Sequence, residues 1–264
     1  MGALFFKVKN YLKFNADKKS TTLSGAVVFF VLLGVIPLSY LTSLVLTFFG
    51  TELTDITKNF SYPELVEVTG YIYEIGLKLG AKGNIIAFVL ALYSSGNIFY
   101  QLKLSGELIY NYSPKNNLLK RVFSIITSFI AVWLYSCVAV IFLAFSPIIT
   151  RFLGGLFSGI VSGAFSFLVV LSMAILINLY TCPYKLKVKN VIWGSFYTAI
   201  FTFVTTALFF LYINNFASFN EIYGKIAIVI VFLSWLYLMV KGFISGITLN
   251  VYVISKDKCN NILV

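Results

Sequence analysis

The chain has 264 residues, of which 59% are hydrophobic and only 11% are charged, and its mean hydropathy is +0.93. A soluble domain is about half apolar and about a quarter charged, so this composition excludes an ordinary soluble protein and indicates a chain dissolved in lipid. The net charge of +11 lies mainly at the ends of apolar segments, where membrane topology and anionic headgroups explain it. We therefore expect the lipid bilayer, and no nucleic acid, as a partner.

Six long apolar segments each suffice for a membrane crossing, which needs about 20 residues for a hydrocarbon core of about 30 Å. The segments are continuous rather than alternating, which indicates helices and not barrel strands. The sequence therefore predicts an all-α integral membrane protein, a six-helix bundle that forms one domain over residues 1–264. Its spans are predicted at about 23–49, 85–110, 122–145, 152–180, 191–213 and 226–252.

Two further helical segments are predicted outside the spans. The N-terminal arm ALFFKVKNYLKFN mixes aromatic residues with three lysines, a composition typical of an amphipathic helix in the membrane interface. No cleavable signal peptide is expected, because the first apolar span is too long for one. The extracytoplasmic segment Gly50–Asn84 contains PELVEVTGYIYEIGLKLG, whose apolar residues recur at helical intervals. This pattern predicts an amphipathic helix, although a simple solvated connector is equally compatible with it.

The distribution of Lys and Arg predicts the orientation. Fourteen basic residues lie in the N-terminal arm, at the inner ends of the second and fourth spans and in the C-terminal tail, against five on the other side. Cytoplasmic loops are the basic ones. Both termini and the loops around Lys115 and Lys187 are therefore predicted to be cytoplasmic, and Glu64 extracytoplasmic.

The last span carries a lysine, Lys241, near its midpoint. A polar stripe runs along the same face of this helix at spacings of three and four residues. Its members are Ser234, Tyr237, Lys241, Ser245, Thr248 and Tyr252. Such a stripe is unfavourable against lipid, so it is expected to face the bundle interior or a wet cavity.

Asn97 and Gln101 lie four residues apart at a similar predicted depth in the second span and could meet Lys241. Two interpretations of the lysine stay open: it lines a functional cavity, or it is a structural amine held by amide and hydroxyl oxygens. Small residues at Gly242 and Gly246 predict a close approach of another helix. A threonine series in the fifth span also predicts a packing surface, at Thr198, Thr202 and Thr206.

Enzyme chemistry has little support in the sequence. There is no histidine, which removes the commonest metal ligand and general base. The three cysteines have no metal-site spacing, and no carboxylates cluster on the cytoplasmic side. We expect no metal, no cofactor and no catalytic residues, and therefore no enzyme.

Several motifs resemble those of the YihY/BrkB family of bacterial inner-membrane proteins. FFVLLGVIPLSYL resembles an aromatic run before a Ser-x-x-Pro element, with Gly34 in place of the usual serine and Pro37 matching. INLYTCPYKLKVKNVIWGS resembles a Leu-Tyr…Pro element followed by basic residues and a glycine, through Tyr180, Pro183 and Gly194.

The C-terminal part resembles the family most strongly. NNFASFNEIYGKIAIVIVFLSWLYL is similar to an Asn-Phe…Tyr-Gly…Trp-Leu-Tyr signature. After this signature the family usually reads Gly-Ala-Glu-Leu-Asn, whereas this chain reads Gly246-Ile-Thr-Leu-Asn250 and lacks the acidic residue.

The resemblance implies a six-span protein of the bacterial plasma membrane with a role in transport, envelope lipid traffic or virulence-linked serum resistance. The ribonuclease label attached to the family is rejected, because phosphodiester cleavage needs metal ligands or acid–base groups. Two functions remain: a transporter that translocates phospholipid or a small anionic solute, and a non-transporting envelope scaffold. The residues expected to line a transport cavity are Lys241, Tyr237, Ser245, Thr248, Asn97, Gln101 and Asn250.

Overall fold

The computed structural model describes residues 2–48, 80–112, 117–184, 186–216 and 220–262. These residues form helices and connecting turns without any strand, which confirms the all-α prediction for the described part of the chain. The six helices are α1 (Gly2–Asp17), α2 (Ser20–Phe48), α3 (Gly80–Ile109), α4 (Asn117–Thr181), α5 (Val188–Phe216) and α6 (Asn220–Ile262).

Four helical segments among the described residues are long and apolar enough to cross a membrane. They are Leu118–Tyr135 and Gly163–Thr181 within α4, Val188–Tyr212 in α5 and Ile230–Ser255 in α6. They overlap the predicted third to sixth spans. Large apolar side chains are exposed along them, including Leu118 (79%) and Trp193 (65%). Exposed surface of this kind indicates a membrane protein.

The first two predicted spans are helical, but their described side chains do not include an apolar window of the required length and hydropathy. In α2, the described side chains give an apolar stretch over Ser20–Gly34, while the helix itself continues to Phe48. α3 contains Lys103, Glu107 and several amide and hydroxyl side chains, which lower its hydropathy. The described residues thus support four of the six predicted spans, and the six-span count stays a prediction. The predicted extracytoplasmic amphipathic helix lies outside the described residues, except for 80–84, which begin α3.

One helix replaces the predicted turn between the third and fourth spans. α4 is assigned as 65 consecutive helical residues, so the connecting loop expected between residues 145 and 152 is not present. The local reason is that Pro147 stands without the cluster of Gly, Asn or Asp that builds a turn. A single crossing needs only about 20 residues, so α4 has enough residues for more than one.

The chain divides into two compact units. Unit 1 comprises residues 1–28, 102–113 and 164–264, and unit 2 comprises 29–101 and 114–163. Unit 1 thus contains α1, the start of α2, the end of α3, the second half of α4, and all of α5 and α6. Its buried residues include Ile109, Ile177, Val191, Ile244 and Ile247.

The helix ends of unit 1 have specific partners. The Lys103 ammonium donates a 2.7 Å hydrogen bond to the Tyr180 carbonyl at the end of α4, where free carbonyls and the helix dipole favour a cation. The Lys18 ammonium donates to Asn111 Oδ1 at 2.9 Å. Asn111, just after α3, and Lys19, between α1 and α2, both have positive φ. These contacts hold the short connections against the helices that they join.

Unit 2 pairs α3 with the first part of α4. The Ser95 and Ser128 hydroxyls lie 3.2 Å apart, and a Cβ at Gly96 would overlap the Ile125 side chain. Small residues at this contact let the two backbones approach closely. The same unit has an open apolar depression of about 480 Å³ on the surface of α4, lined by Phe129, Ile130, Trp133, Leu134, Cys137 and Val138.

Candidate functional site

Lys241 lies close to the middle of the last candidate span. It is the twelfth residue of Ile230–Ser255, which has 26 residues, and its side chain is half-buried. The ammonium nitrogen lies 5.8 Å from the centroid of the Tyr237 ring, one helical turn earlier. No described side chain of unit 1 accepts a hydrogen bond from it. Within this unit, the ammonium is therefore stabilised by an aromatic face and not by an anion.

The polar stripe around Lys241 becomes more buried toward the C-terminal end of α6. Ser234 is exposed, Tyr237 and Tyr252 are half-buried, and Ser245 and Thr248 are buried. The Thr248 hydroxyl donates to the Ile244 carbonyl of its own helix at 2.9 Å. This bond uses the only hydroxyl hydrogen of Thr248, so the group can act toward a ligand only as an acceptor.

The N-terminal helix covers the C-terminal half of this stripe. The Tyr11 hydroxyl donates a 2.8 Å hydrogen bond to the Ser245 carbonyl. The Tyr11 ring makes edge contacts with Tyr197 of α5 and Tyr252 of α6, at centroid distances of 6.4 and 6.0 Å. Burial raises the pKa of Tyr11 above its ordinary value. The sequence predicts the amphipathic character of α1, but nothing in it indicates this contact, which joins residues 234 positions apart.

Asn250 belongs to a separate polar cluster. It follows Lys241 by nine residues, which at 100° per residue places it on the opposite side of α6. Its side-chain oxygen accepts the Gly194 N–H at 2.8 Å, and its amide nitrogen donates to Asn178 Oδ1 at 2.9 Å. Asn178 Nδ2 in turn donates to Ser195 Oγ at 3.1 Å. The structure thus gives Asn250 helix-joining partners, and its assignment to a transport cavity receives no support from them.

Asn178 is more important than its sequence position suggests. From the sequence it is only a polar residue near the inner end of a span, suited to the membrane interface. In the structure it is 1% exposed and joins α4, α5 and α6 through its amide group. An amide at this depth needs partners for its donors and acceptor. The sequence contains a second asparagine, Asn250, near the end of another predicted span. The presence of these two asparagines is the signal from which their contact could have been predicted.

The contact between α5 and α6 is built on glycine and threonine. A Cβ at Gly246 would overlap Thr198 Oγ1 and the Gly194 carbonyl, and a Cβ at Gly242 would lie 2.6 Å from the Phe201 ring. Thr198 Oγ1 donates to the Gly194 carbonyl at 2.9 Å. The predicted close approach at Gly242 and Gly246 is confirmed. The predicted threonine packing surface is confirmed too, since Thr198 and Thr202 are buried and Thr206 accepts from Trp235 Nε1 at 3.4 Å.

Asn97 and Gln101, the predicted partners of Lys241, are half-buried residues of α3 in unit 2. Lys241 belongs to unit 1, and the pairing stays a prediction. Within the described ranges, no three His, Cys, Asp or Glu side chains form a group that could hold a metal ion. Cys137 and Cys182 are free thiols.

Comparison with known proteins adds one relationship. The sequence matches the family model described as Virulence factor BrkB over residues 12–260. The chain belongs to the BrkB family. No curated protein and no solved structure matches the sequence significantly.

The structure brings together motif residues by which the sequence resembles the BrkB family. Gly194 comes from the motif between the fourth and fifth predicted spans, and Gly246 and Asn250 come from the motif that ends the last span. These residues meet at the α5–α6 contact, where Asn250 accepts the Gly194 N–H and a Cβ on either glycine would overlap the facing helix. In this member of the family, Gly194, Gly246 and Asn250 thus form part of the contact between α5 and α6.

Proposed function

We propose that this BrkB family protein translocates a phospholipid or a small anionic solute across the bacterial plasma membrane, and that Lys241 binds the anionic group. The observation that carries this proposal is the half-buried ammonium at the middle of a candidate span, with a tyrosine ring and no acceptor as its partner within unit 1. Ionisable groups inside a membrane are costly and mark substrate pathways by default.

An anion bound at Lys241 would offset the free-energy cost of placing its charge inside the membrane. A cation–π contact stabilises by about 0.5–2 kcal/mol, whereas a charged lysine at the centre of a membrane helix costs about 2.5–3.5 kcal/mol on insertion scales. The Tyr237 ring offsets only part of this cost. A phosphate or carboxylate group that reached Lys241 would supply the missing counter-charge. Tyr237 lies on the same face of α6 and is half-buried, so its hydroxyl can donate to the anion, whereas the Thr248 hydroxyl hydrogen is already used within α6.

The proposed topology has six crossings with both termini in the cytoplasm. This topology requires α4 to reverse its direction between its two apolar windows, Leu118–Tyr135 and Gly163–Thr181, which then supply the third and fourth crossings. The first two crossings are α2 and α3. The excess of basic residues at one set of helix ends supports the orientation. Membership of the BrkB family supports the plasma membrane as the location in this proposal.

The alternative function is a membrane scaffold without transport activity. The observation that favours it is the close packing of α5 on α6 together with the coverage of the polar stripe by Tyr11. In a scaffold, Lys241 would be a structural amine held by Asn97, Gln101 and nearby hydroxyls. Both functions are non-enzymatic, in keeping with the lack of histidine in the sequence.

The decisive experiment uses purified protein in liposomes, assayed for movement of fluorescent phospholipids and of small anions. Lys241→Met keeps the apolar stem and deletes the charge. We expect it to abolish most of the flux while leaving the melting temperature unchanged or higher, because a costly charge is removed. Lys241→Arg should retain part of the flux. Lys189→Met, which removes an exposed charge at the start of α5, is the matched control and should behave as wild type.

The two functions give opposite results in this experiment. If Lys241 is structural, its removal strands its polar partners at about 1–3 kcal/mol for each group, and the melting temperature falls. A lower melting temperature with unchanged flux would support the scaffold. Flux no greater than that of empty liposomes, over a panel of phospholipids and anions, would remove the transport proposal.

A further inference from the structure

A second cationic site lies within unit 2, where α3 packs on the start of α4. The guanidinium carbon of Arg121, in the second turn of α4, lies 5.6 Å from the centroid of the Tyr100 ring and 5.9 Å from that of Tyr93. Tyr93 and Tyr100 are seven residues apart on α3, so they share one face, two turns apart. The guanidinium therefore lies between two aromatic rings on a helix–helix seam.

The close packing of α3 on α4 fixes this arrangement. Gly96 is in contact with Ile125, and the Ser95 and Ser128 hydroxyls lie 3.2 Å apart on the same seam. Contacts with two Tyr rings favour this orientation of the Arg121 side chain. The site is thus organised by packing before any ligand arrives, which lowers the entropic cost of binding.

The surroundings of Arg121 are apolar and exposed. Arg121 itself is exposed, and Tyr93 is half exposed. Leu118, Val122 and Phe123, on the same part of α4, expose more than half of their side-chain surface. A charge in such a setting has apolar surface beside it on which acyl chains can lie.

The depth of Arg121 matches that of lipid phosphates. The candidate span begins at Leu118, and Arg121 follows three residues later, about 4.5 Å along the helix axis. The headgroup and interfacial layer occupies about 5–7 Å on each side of the hydrocarbon core. Arg121 thus lies just inside the apolar segment, and its long side chain can extend back to the adjacent headgroup layer, where phosphate groups lie and tyrosine is also favoured.

The chemistry of the site selects a phosphate. Arginine keeps its charge and presents its N–H donors in the plane of the guanidinium, a fork that fits two phosphate oxygens. Aromatic contacts engage the π face of a guanidinium and leave that edge available. The charge of Arg121 has two tyrosine rings as its described neighbours, so an anion would add the counter-charge.

We infer that Arg121, Tyr93 and Tyr100 form a binding site for the headgroup of an anionic phospholipid on the lipid-facing side of unit 2. The phosphate binds the guanidinium edge, and the acyl chains lie along the exposed apolar residues of α4. A lipid bound at this position would stabilise the contact between α3 and α4. The site does not depend on the proposed transport, since it lies in a different unit from Lys241.

The test is the thermal stability of the full-length protein in a neutral detergent, with phosphatidylglycerol, phosphatidylcholine or inorganic phosphate added at matched concentrations. A ligand that binds the folded state raises its apparent stability. We expect phosphatidylglycerol to raise the melting temperature of the wild type by several degrees and the other two additions to have less than half this effect. Arg121→Gln should lose at least half of the shift, and Tyr93→Phe, which retains the ring, should keep it.

The control for loss of charge is Lys189→Gln, which removes an exposed basic residue of unit 1 and should respond as wild type. An equal response of Arg121→Gln and wild type to phosphatidylglycerol would overturn the site. An equal response of the wild type to inorganic phosphate would also overturn it, because a free-anion site needs no lipid. If Arg121→Gln does not fold, the Tyr93→Leu/Tyr100→Leu double variant replaces it, and an undiminished lipid shift in that variant overturns the inference.

Discussion

The Tyr11 hydroxyl donates a hydrogen bond to the main-chain carbonyl of Ser245 and thereby joins the first helix of the protein to the middle of the last. The Tyr11 ring lies between Tyr197 and Tyr252 at the same place. The N-terminal helix is therefore part of the folded unit that contains Lys241, and it covers the polar stripe one turn from the lysine.

Tyr11→Phe should lower the free energy of unfolding by about 1 kcal/mol, the usual net contribution of one hydrogen bond. Tyr11→Ala should cost more, because it also removes the ring contacts with two tyrosines. Melting in detergent measures both. Leu12→Ala is the matched control, since Leu12 is 58% exposed, and it should have little effect. An equal loss for Tyr11→Ala and Leu12→Ala would contradict the contact.

Tyr11 should also make stability depend on pH in the alkaline range. Its pKa is raised by burial, so the folded state keeps the phenol proton at a pH where the unfolded chain has lost it. The contribution of Tyr11 is then fully present below pH 10 and decreases above it. Above pH 10, the stability of the wild type should fall more steeply than that of Tyr11→Phe. Parallel pH profiles for the two proteins would show that the Tyr11 phenol is not buried.

Asn250→Ala should destabilise the joint between α4, α5 and α6. The substitution leaves the Asn178 side-chain oxygen without its donor and removes the side-chain acceptor that Asn250 adds at the Gly194 N–H, which is otherwise placed to bond within α5. Each stranded buried group costs about 1–3 kcal/mol. Asn190→Ala, at an exposed position near the start of α5, is the control. Comparable melting temperatures for the two variants would argue against the amide cluster.

Gly246→Ala should be disruptive although it adds a single methyl group. The new Cβ would overlap Thr198 Oγ1 and the Gly194 carbonyl, and the latter is main chain that cannot move away alone. Overpacking of this kind costs about 1–3 kcal/mol. Gly25→Ala, where nothing lies within 4 Å of the added Cβ, should be neutral or stabilising by up to about 1 kcal/mol through helix propensity. If both variants melt alike, the helices do not meet at Gly246.

Single-cysteine labelling tests the six-crossing topology. In a background in which Cys137, Cys182 and Cys259 are replaced by serine, position 187 should react only from the cytoplasm, and position 64 only from outside. Labelling at position 151 tests how often α4 crosses the membrane. If α4 crosses twice, position 151 reacts only from outside. Reaction of position 187 with an impermeant reagent in intact cells would refute the orientation.

The sequence predicts the class of the protein because hydropathy depends on composition over long segments. It also predicts the close approach at Gly242 and Gly246, since two small residues four apart leave a groove on any helix. In contrast, the partners of Asn250 and Tyr11 depend on how each helix is rotated about its own axis. Residues 72 and 234 positions apart, respectively, are brought together by that rotation. Spacing within one helix contains no information about it.

The predicted connection between residues 145 and 152 is a second feature that the sequence does not predict correctly. The sequence analysis assigns two spans, 122–145 and 152–180, because the apolar segment is longer than one crossing needs. Proline is a weak stop signal in an apolar helix, because neighbouring groups can satisfy the carbonyl that it frees. The helix assignment continues through this segment, so hydropathy locates the two apolar windows of α4 but not the route between them.

The amide cluster of Asn178 and Asn250 also has a consequence for biosynthesis. Asn178 is translated 72 residues before Asn250, which at about 5–20 residues per second corresponds to about 4 to 14 s. During this interval the nascent α4 and α5 lack the side chain that completes their polar contact. The last helix therefore completes the cluster, and a chain that ends before α6 has an Asn178 side-chain oxygen without the donor that Asn250 provides.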